Sequence, residues 1–278
     1  LLSGTEHVAP FACYRCPYGY PDLNGEAQIE ICKTTCANFV RYVLEKEGDV
    51  AAVIAEPVRA VPYIPPSGYW QMVRQACNES GALLIFDEIP TGLGKTGRMF
   101  ACEHDAVEPD ILVIGKALGG GILPIAAVLA KSELDVAGEF AFGHYTHEKN
   151  PVTAKAALTT IEIIEQEGLV ENAATLGKYV LERLNLLKAE HSTIGDVRGR
   201  GLLIGVELVL NKEDKTPAND LAEEVLYRCL SKGLSFKLTM GNVLTLTPPL
   251  IITKTQIDLS LKIISDSLKE AEQALGLA

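Results

Sequence analysis

Three ionisable side chains in this sequence each stand at or near the end of an apolar run. Glu56 falls near the end of DVAAVIAEPV (49–58), Asp87 near the end of ALLIFDE (82–88), and Lys116 directly after DILVIG (110–115). A lysine that only needs water does not need an apolar strand to aim it, and Lys116 runs on into three glycines, Gly119 to Gly121. Two chemistries fit such a set. One is a buried ion pair between Asp87 and Lys116, retained because each partner neutralises the other. The other is catalytic. A lysine amine whose pKa is lowered by desolvation or nearby charge condenses with an aldehyde. A carboxylate beside a pyridine nitrogen keeps that nitrogen protonated, so the ring accepts electrons. Those are two contacts that pyridoxal phosphate uses, and both must be held rigidly on one floor.

Strand ends supply such a floor. Hydrophobic spacing predicts a helix over 26–47, a buried strand over 49–58 that stops at Pro57, and a helix over 69–80. Further buried strands are expected at 82–88, 110–115 and 124–130. Near-continuous apolar strands separated by helices imply an α/β fold, a mostly parallel sheet with helices on both faces. Ligands of such sheets collect beyond the carboxyl ends of the strands, where Glu56, Asp87 and Lys116 fall.

After residue 150 the texture changes. Two helices are expected in 151–190, and two short strands around the glycines of IGDVRGRGLLIGVELVL (194–210). A helix over 218–232, short strands in LSFKL and NVLTLTP, and an amphipathic helix over 254–275 complete an α+β pattern. The expected division is therefore part of a large α/β domain over 1–150, then linking helices and a small C-terminal α+β domain over 151–278.

The 278 residues carry a net charge of -11. That balance argues against nucleic acid and against an anionic membrane as partners, and no apolar run approaches the length of a membrane span. A cytoplasmic location is expected. Seven cysteines, an odd number, read as reduced thiols. Cys13 and Cys16 form a C-x-x-C, and Cys32 and Cys36 follow in ICKTTCANF, a set that reads either as a zinc or iron–sulfur site or as unpaired thiols. No ribbon of glycine knuckles surrounds the pairs, and unpaired thiols are the expectation. The GKT of TGLGKTG (91–97) is not read as a phosphate loop, because the leading glycine of that loop is missing and position 90 is proline.

A longer stretch is more specific. LLIFDEIPTGLGKTGRMFACEHDAVEPDILVIGKALGGGILPIAAV resembles the signature of the class III aminotransferases, pyridoxal-phosphate enzymes of fold type I that include 2,2-dialkylglycine decarboxylase. The likeness continues through AEPV (55–58), NPVTAKAAL (150–158), DVRGRGLLIGVEL (196–208) and NVLTLTPPLIIT (242–253). It implies that Lys116 is the Schiff-base lysine and proton shuttle, and that Asp87 binds the pyridinium nitrogen. Ile89 would pack on the ring, and Thr146 would reach the cofactor phosphate of a neighbouring subunit. Glu56 would support the site from behind. A homodimer with shared active sites is implied, acting on an amine or amino acid and a keto acid.

Three departures accompany the resemblance. Pro90 stands where many members carry a glutamine that touches the cofactor, and proline has no side-chain donor. Thr245 stands where many carry an arginine that clamps a substrate carboxylate, a role threonine cannot fill. Lys237, nearby in LSFKLTMGN, reads either as a different anion contact or as a solvated lysine at a strand end, and Arg59, where the family often has glutamine, faces either an anionic substrate group or the solvent. Finally, the family's phosphate-binding loop precedes the region matched, so the chain looks like the C-terminal two thirds of such an enzyme, with an open sheet edge. Aminotransfer is the leading expectation. A lyase or decarboxylase on the same fold, releasing ammonia, phosphate or carbon dioxide, is the alternative, and a non-catalytic remnant of the fold is a third reading.

Overall fold

A computed structural model describes residues 3–22, 26–140 and 145–277. The chain forms two compact units. The first comprises residues 1–58, 64–93 and 100–166, the second residues 59–63, 94–99 and 167–278.

The first unit is built on a four-stranded sheet in the order β1 (Ala52–Ala55), β2 (Leu83–Asp87), β3 (Ile111–Ile114), β4 (Ala127–Ala130). β1, β2 and β3 run parallel, as the apolar runs predict, while β4 is antiparallel to β3. The link between β3 and β4 reverses direction through Gly120 and Gly121, both at positive φ, a conformation open to glycine at little cost. Hydrophobic alternation cannot report strand direction, so this reversal was not legible in advance.

α3 (Tyr69–Ser80) lies against β2. Its single tryptophan, Trp70, is buried, packs edge-on against Phe86 at 4.6 Å and donates its indole N–H to the Pro57 carbonyl at 2.8 Å. Phe11 of the N-terminal coil packs edge-on against Tyr69 and Trp70. The helix expected over 26–47 is two helices, α1 (Glu26–Cys32) and α2 (Thr35–Glu47). Lys33 and Thr34 take left-handed backbone angles between them. Thr35 donates its hydroxyl to the Cys32 carbonyl at 2.5 Å, the local side-chain bond through which threonine competes with a continuous helix. The expected cover on both sheet faces is incomplete. Ile54 and Val128 remain 66% and 67% exposed, so apolar sheet surface faces outward.

The second unit is an antiparallel sheet, order β5 (Ile194–Arg200), β6 (Leu203–Leu208), β8 (Val243–Leu246), β7 (Lys237–Thr239). α5 (Leu169–Glu190), α6 (Asn219–Ser231) and α7 (Lys254–Leu275) pack on it around Leu184, Leu208, Leu221, Leu244, Ile264 and Leu268. α4 (Pro151–Gln166) belongs to the first unit. Gly177 of α5 sits so close to the β5–β6 turn that a Cβ there would lie 2.2 Å from the Gly201 carbonyl oxygen.

Asp110 ties the first sheet together. Its carboxylate accepts from the Leu84 N–H at 2.7 Å, from Arg74 at 2.6 Å and from Lys131 at 2.9 Å, joining β2, α3 and the residue after β4. Burial works against the anion, but the Leu84 N–H and the two cations outweigh it and hold the acid down at about 2. A folded-state pKa below the ordinary 3.8 gives stability that is present above about pH 4 and lost as pH falls through 2. Asp110→Asn is expected to lower unfolding stability by about 2 kcal/mol at neutral pH. In urea titrations the gap between the two proteins should close as the pH approaches 2.

Candidate active site

The parallel ladder aligns three strand ends. Ala55 pairs with Phe86, Phe86 with Leu112 and Asp87 with Val113. Glu56 therefore leaves β1 one residue beyond its pair, Asp87 closes β2, and Lys116 follows β3 after Gly115. Asp87 is half-buried, and its Oδ1 accepts the backbone N–H of Ile89 at 3.0 Å, which fixes the carboxylate. Ile89 reaches the next strand end. Its Cγ2 lies 3.5 Å from where a Cβ on Gly115 would stand, so it covers the backbone immediately before the lysine.

Lys116 is exposed and opens a 3₁₀ turn, Lys116–Gly119, at φ +45. A left-handed lysine carries a backbone cost of about 1 kcal/mol. Its amine has no hydrogen-bond or ion-pair partner among the described residues. In particular, Asp87 and Lys116 do not pair with each other, so the buried ion pair is not what these two residues form. The amine is available to an added group, and the neighbouring carboxylate is already oriented.

Thr146 is exposed in the turn that leads to α4. The other three expected contacts lie in the second unit. Arg59 bridges to Tyr63 across an antiparallel turn and sets its guanidinium 5.5 Å from that ring. Thr245 is buried, its hydroxyl 2.7 Å from that of Thr239. Lys237 stands directly opposite Thr245 in the β7–β8 register and is exposed.

One supporting residue escaped the sequence reading. Glu88 is only 1% exposed and accepts from the backbone N–H groups of Ala101 and Cys102, each at 2.8 Å, and from the Thr91 hydroxyl at 2.9 Å. It anchors the chain that returns after residue 99 against the strand end that carries Asp87. The signal was the adjacent pair Asp87-Glu88, since neighbours on an extended chain face opposite ways. Lys95, in the rejected GKT, donates to the Pro248 carbonyl at 2.8 Å within the second unit, and burial pulls its pKa down to about 8.

With this geometry in view, comparison with known proteins is decisive. The family model for aminotransferase class-III matches residues 4–268. The chain belongs to the class III aminotransferase family. This class III chain is 42% identical over 96% of its length to an (R)-1-hydroxy-2-aminoethylphosphonate ammonia-lyase of Vibrio splendidus, of which it covers 58%. It is 36% identical over 98% of its length to the adenosylmethionine-8-amino-7-oxononanoate aminotransferase of Methanocaldococcus jannaschii, covering 62%. A leucine/methionine racemase of Thermococcus litoralis is 40% identical over 98% of this chain and covered to 61%. A Bacillus anthracis aminotransferase structure superposes with a TM-score of 0.87 at 35% identity, over 97% of this chain and 62% of that one. The class III chain thus spans about three fifths of the length of these relatives. Its fold is fold type I, and the family is one of pyridoxal-phosphate-dependent enzymes.

Burial raises the Glu88 pKa above the ordinary carboxylate value, and the three donors offset this only in part. A raised acid contributes most when protonated and loses that contribution as pH climbs through its folded pKa. Glu88→Gln removes one acceptor from three donors and is expected to cost about 2 kcal/mol. Chemical denaturation should show the difference larger near pH 4 than at pH 7.

Proposed function

We propose that the protein is a pyridoxal-phosphate enzyme that transfers an amino group from an amine or amino acid to a keto acid. The observation that carries this reading is the unpartnered Lys116 amine next to an oriented Asp87 at adjacent parallel strand ends. The residues present fit the cofactor. Lys116 offers a free amine to an aldehyde, Asp87 an aligned carboxylate to a ring nitrogen, and Ile89 an apolar surface beside Gly115. Pyridoxal phosphate, when bound, draws electron density away from the carbon that bears the amino group.

Lys116 would hold the cofactor, and its amine would be the base that takes the proton from the substrate Cα and returns it. Asp87 would keep the ring nitrogen protonated. Ile89 would back the ring, Glu56 would buttress the strand end, and Thr146 would meet the phosphate of a neighbouring subunit. A cytoplasmic homodimer with shared sites fits these assignments. The division into a large cofactor domain and a small C-terminal domain belongs to the same reading.

A second reading has its own support. Thr245 offers no cation where the resemblance leads one to expect an arginine, and its hydroxyl is already committed to Thr239. An ordinary α-carboxylate would then go unclamped, with Lys237 and Arg59 the remaining cations for an anionic group. The Vibrio splendidus relative is an ammonia-lyase. Loss of ammonia would need the same lysine and aspartate but no keto acid.

The test begins with the purified protein and added pyridoxal phosphate. A near-visible absorbance band is expected, which borohydride fixes onto Lys116 and not onto Lys95. Lys116→Arg should lose the band and at least about 10³-fold in turnover. Asp87→Asn should keep the band and lose about 10²-fold or more in kcat. Labelling spread over other lysines would sink the assignment. Product formation that persists without any keto acid, with ammonia released, would replace aminotransfer by elimination.

A further inference from the structure

Four of the seven cysteines gather where the reading above makes no use of them. Cys13 and Cys16 of the N-terminal coil, Cys32 at the end of α1 and Cys36 at the start of α2 line one cavity of about 20 Å³, together with Tyr18 and Gln28. That is space for roughly one water molecule. All seven cysteines are free thiols, and Cys13, Cys16 and Cys36 are partly exposed while Cys32 is buried. The Tyr18 hydroxyl is buried on the cavity and has no hydrogen-bond partner among the described residues. Among the described residues, no group of three or more histidine, cysteine or acidic side chains is arranged to hold a metal ion. The chemistry left to four clustered sulfurs is thiol–disulfide exchange.

We propose that Cys13 closes a reversible disulfide with a thiol of the α1–α2 pair, Cys32 or Cys36, when the protein meets a low-molecular-weight disulfide such as oxidised glutathione. Cys13 lies in a short 3₁₀ turn flanked by irregular chain, so it can shift across a water-sized gap, whereas Cys32 and Cys36 are held by helices. The exchange balances in two steps. One protein thiolate attacks a sulfur of oxidised glutathione, forming a mixed disulfide and expelling one glutathione thiolate. The second protein thiol then displaces the other glutathione. Two protein thiols are oxidised, one disulfide is reduced to two thiols, and the two protons pass to the released glutathione.

Electrostatics agrees with Cys13 as the shared neighbour. Burial, then Cys32, Cys16 and Asp22, pushes its thiol up to about 11, and burial with Cys13 and Cys32 pushes Cys36 up to about 12. Only a small fraction of these thiols is thiolate at neutral pH, so that fraction makes the attack and the exchange is slow. The closed bond would pin the N-terminal coil to the helix pair and restrict the unfolded chain.

The experiment treats the purified protein, cofactor added, with excess oxidised glutathione. Alkylation under denaturing conditions follows, then thiol counting and non-reducing peptide mapping. Trypsin cuts after Arg15 and Lys33, and a glutamate-specific protease cuts at Glu26 or Glu30, which together separate all four cysteines. The expected result is loss of two thiols, restored by dithiothreitol, with the Cys13 peptide joined to that of Cys32 or Cys36. Cys77→Ser and Cys229→Ser should keep the link. Cys13→Ser should abolish it, and the wild-type map stands alone should that variant misfold. Retention of all seven thiols, glutathione adducts only, a Cys13–Cys16 bond, or a metal ion released from these sulfurs on denaturation would each overturn the proposal.

Discussion

The parallel ladder between β2 and β3 is the constraint on which the candidate site depends. It sets Asp87 beside Val113 and so fixes how far Lys116 lies from the carboxylate along the sheet. The ladder continues one bond past the strands, since the Glu88 N–H donates to the Val113 carbonyl at 2.9 Å. Beyond that bond the chain must turn, and it turns around the buried Glu88 carboxylate. The two neighbouring acids thus divide the labour. Asp87 stays half-buried and accepts the Ile89 N–H, while Glu88 is aimed inward to satisfy backbone donors that burial would otherwise leave unpaired.

Much of this was legible in the residues, for reasons that differ by element. The last helix begins where the sequence puts it because Thr253 and Gln256 form a reciprocal cap, each side chain bonding the other's backbone N–H. β2 and β3 were legible because short apolar runs bounded by acids and glycines have few alternatives. The break between α1 and α2 was not, because it rests on two left-handed residues, Lys33 and Thr34, that are not glycine. The antiparallel return of β4 was hidden for another reason. Alternation encodes which face a residue takes and is silent on strand direction.

The candidate site divides in the same way. Lys116 and Asp87 stood out by residue type at strand ends, and the long ordered signature around them carried the family. Glu88 was overlooked because an acid next to a more conspicuous acid reads as solvated. Thr245 shows the opposite case. The sequence marked it as a departure, and the structure gives it a physical form: a buried hydroxyl paired with that of Thr239 on the neighbouring strand. The relatives include an aminotransferase, an ammonia-lyase and a racemase, so one fold hosts several outcomes and the fold alone does not choose among them.

The left-handed backbone at Lys116 has a further consequence. Glycine would occupy that position without strain, so the fold keeps a lysine there at a standing cost. With Lys116 in the role proposed for it, two selections would pull residue 116 in opposite directions. A library sorted for resistance to unfolding would enrich glycine at this position, and a library sorted for turnover would purge it.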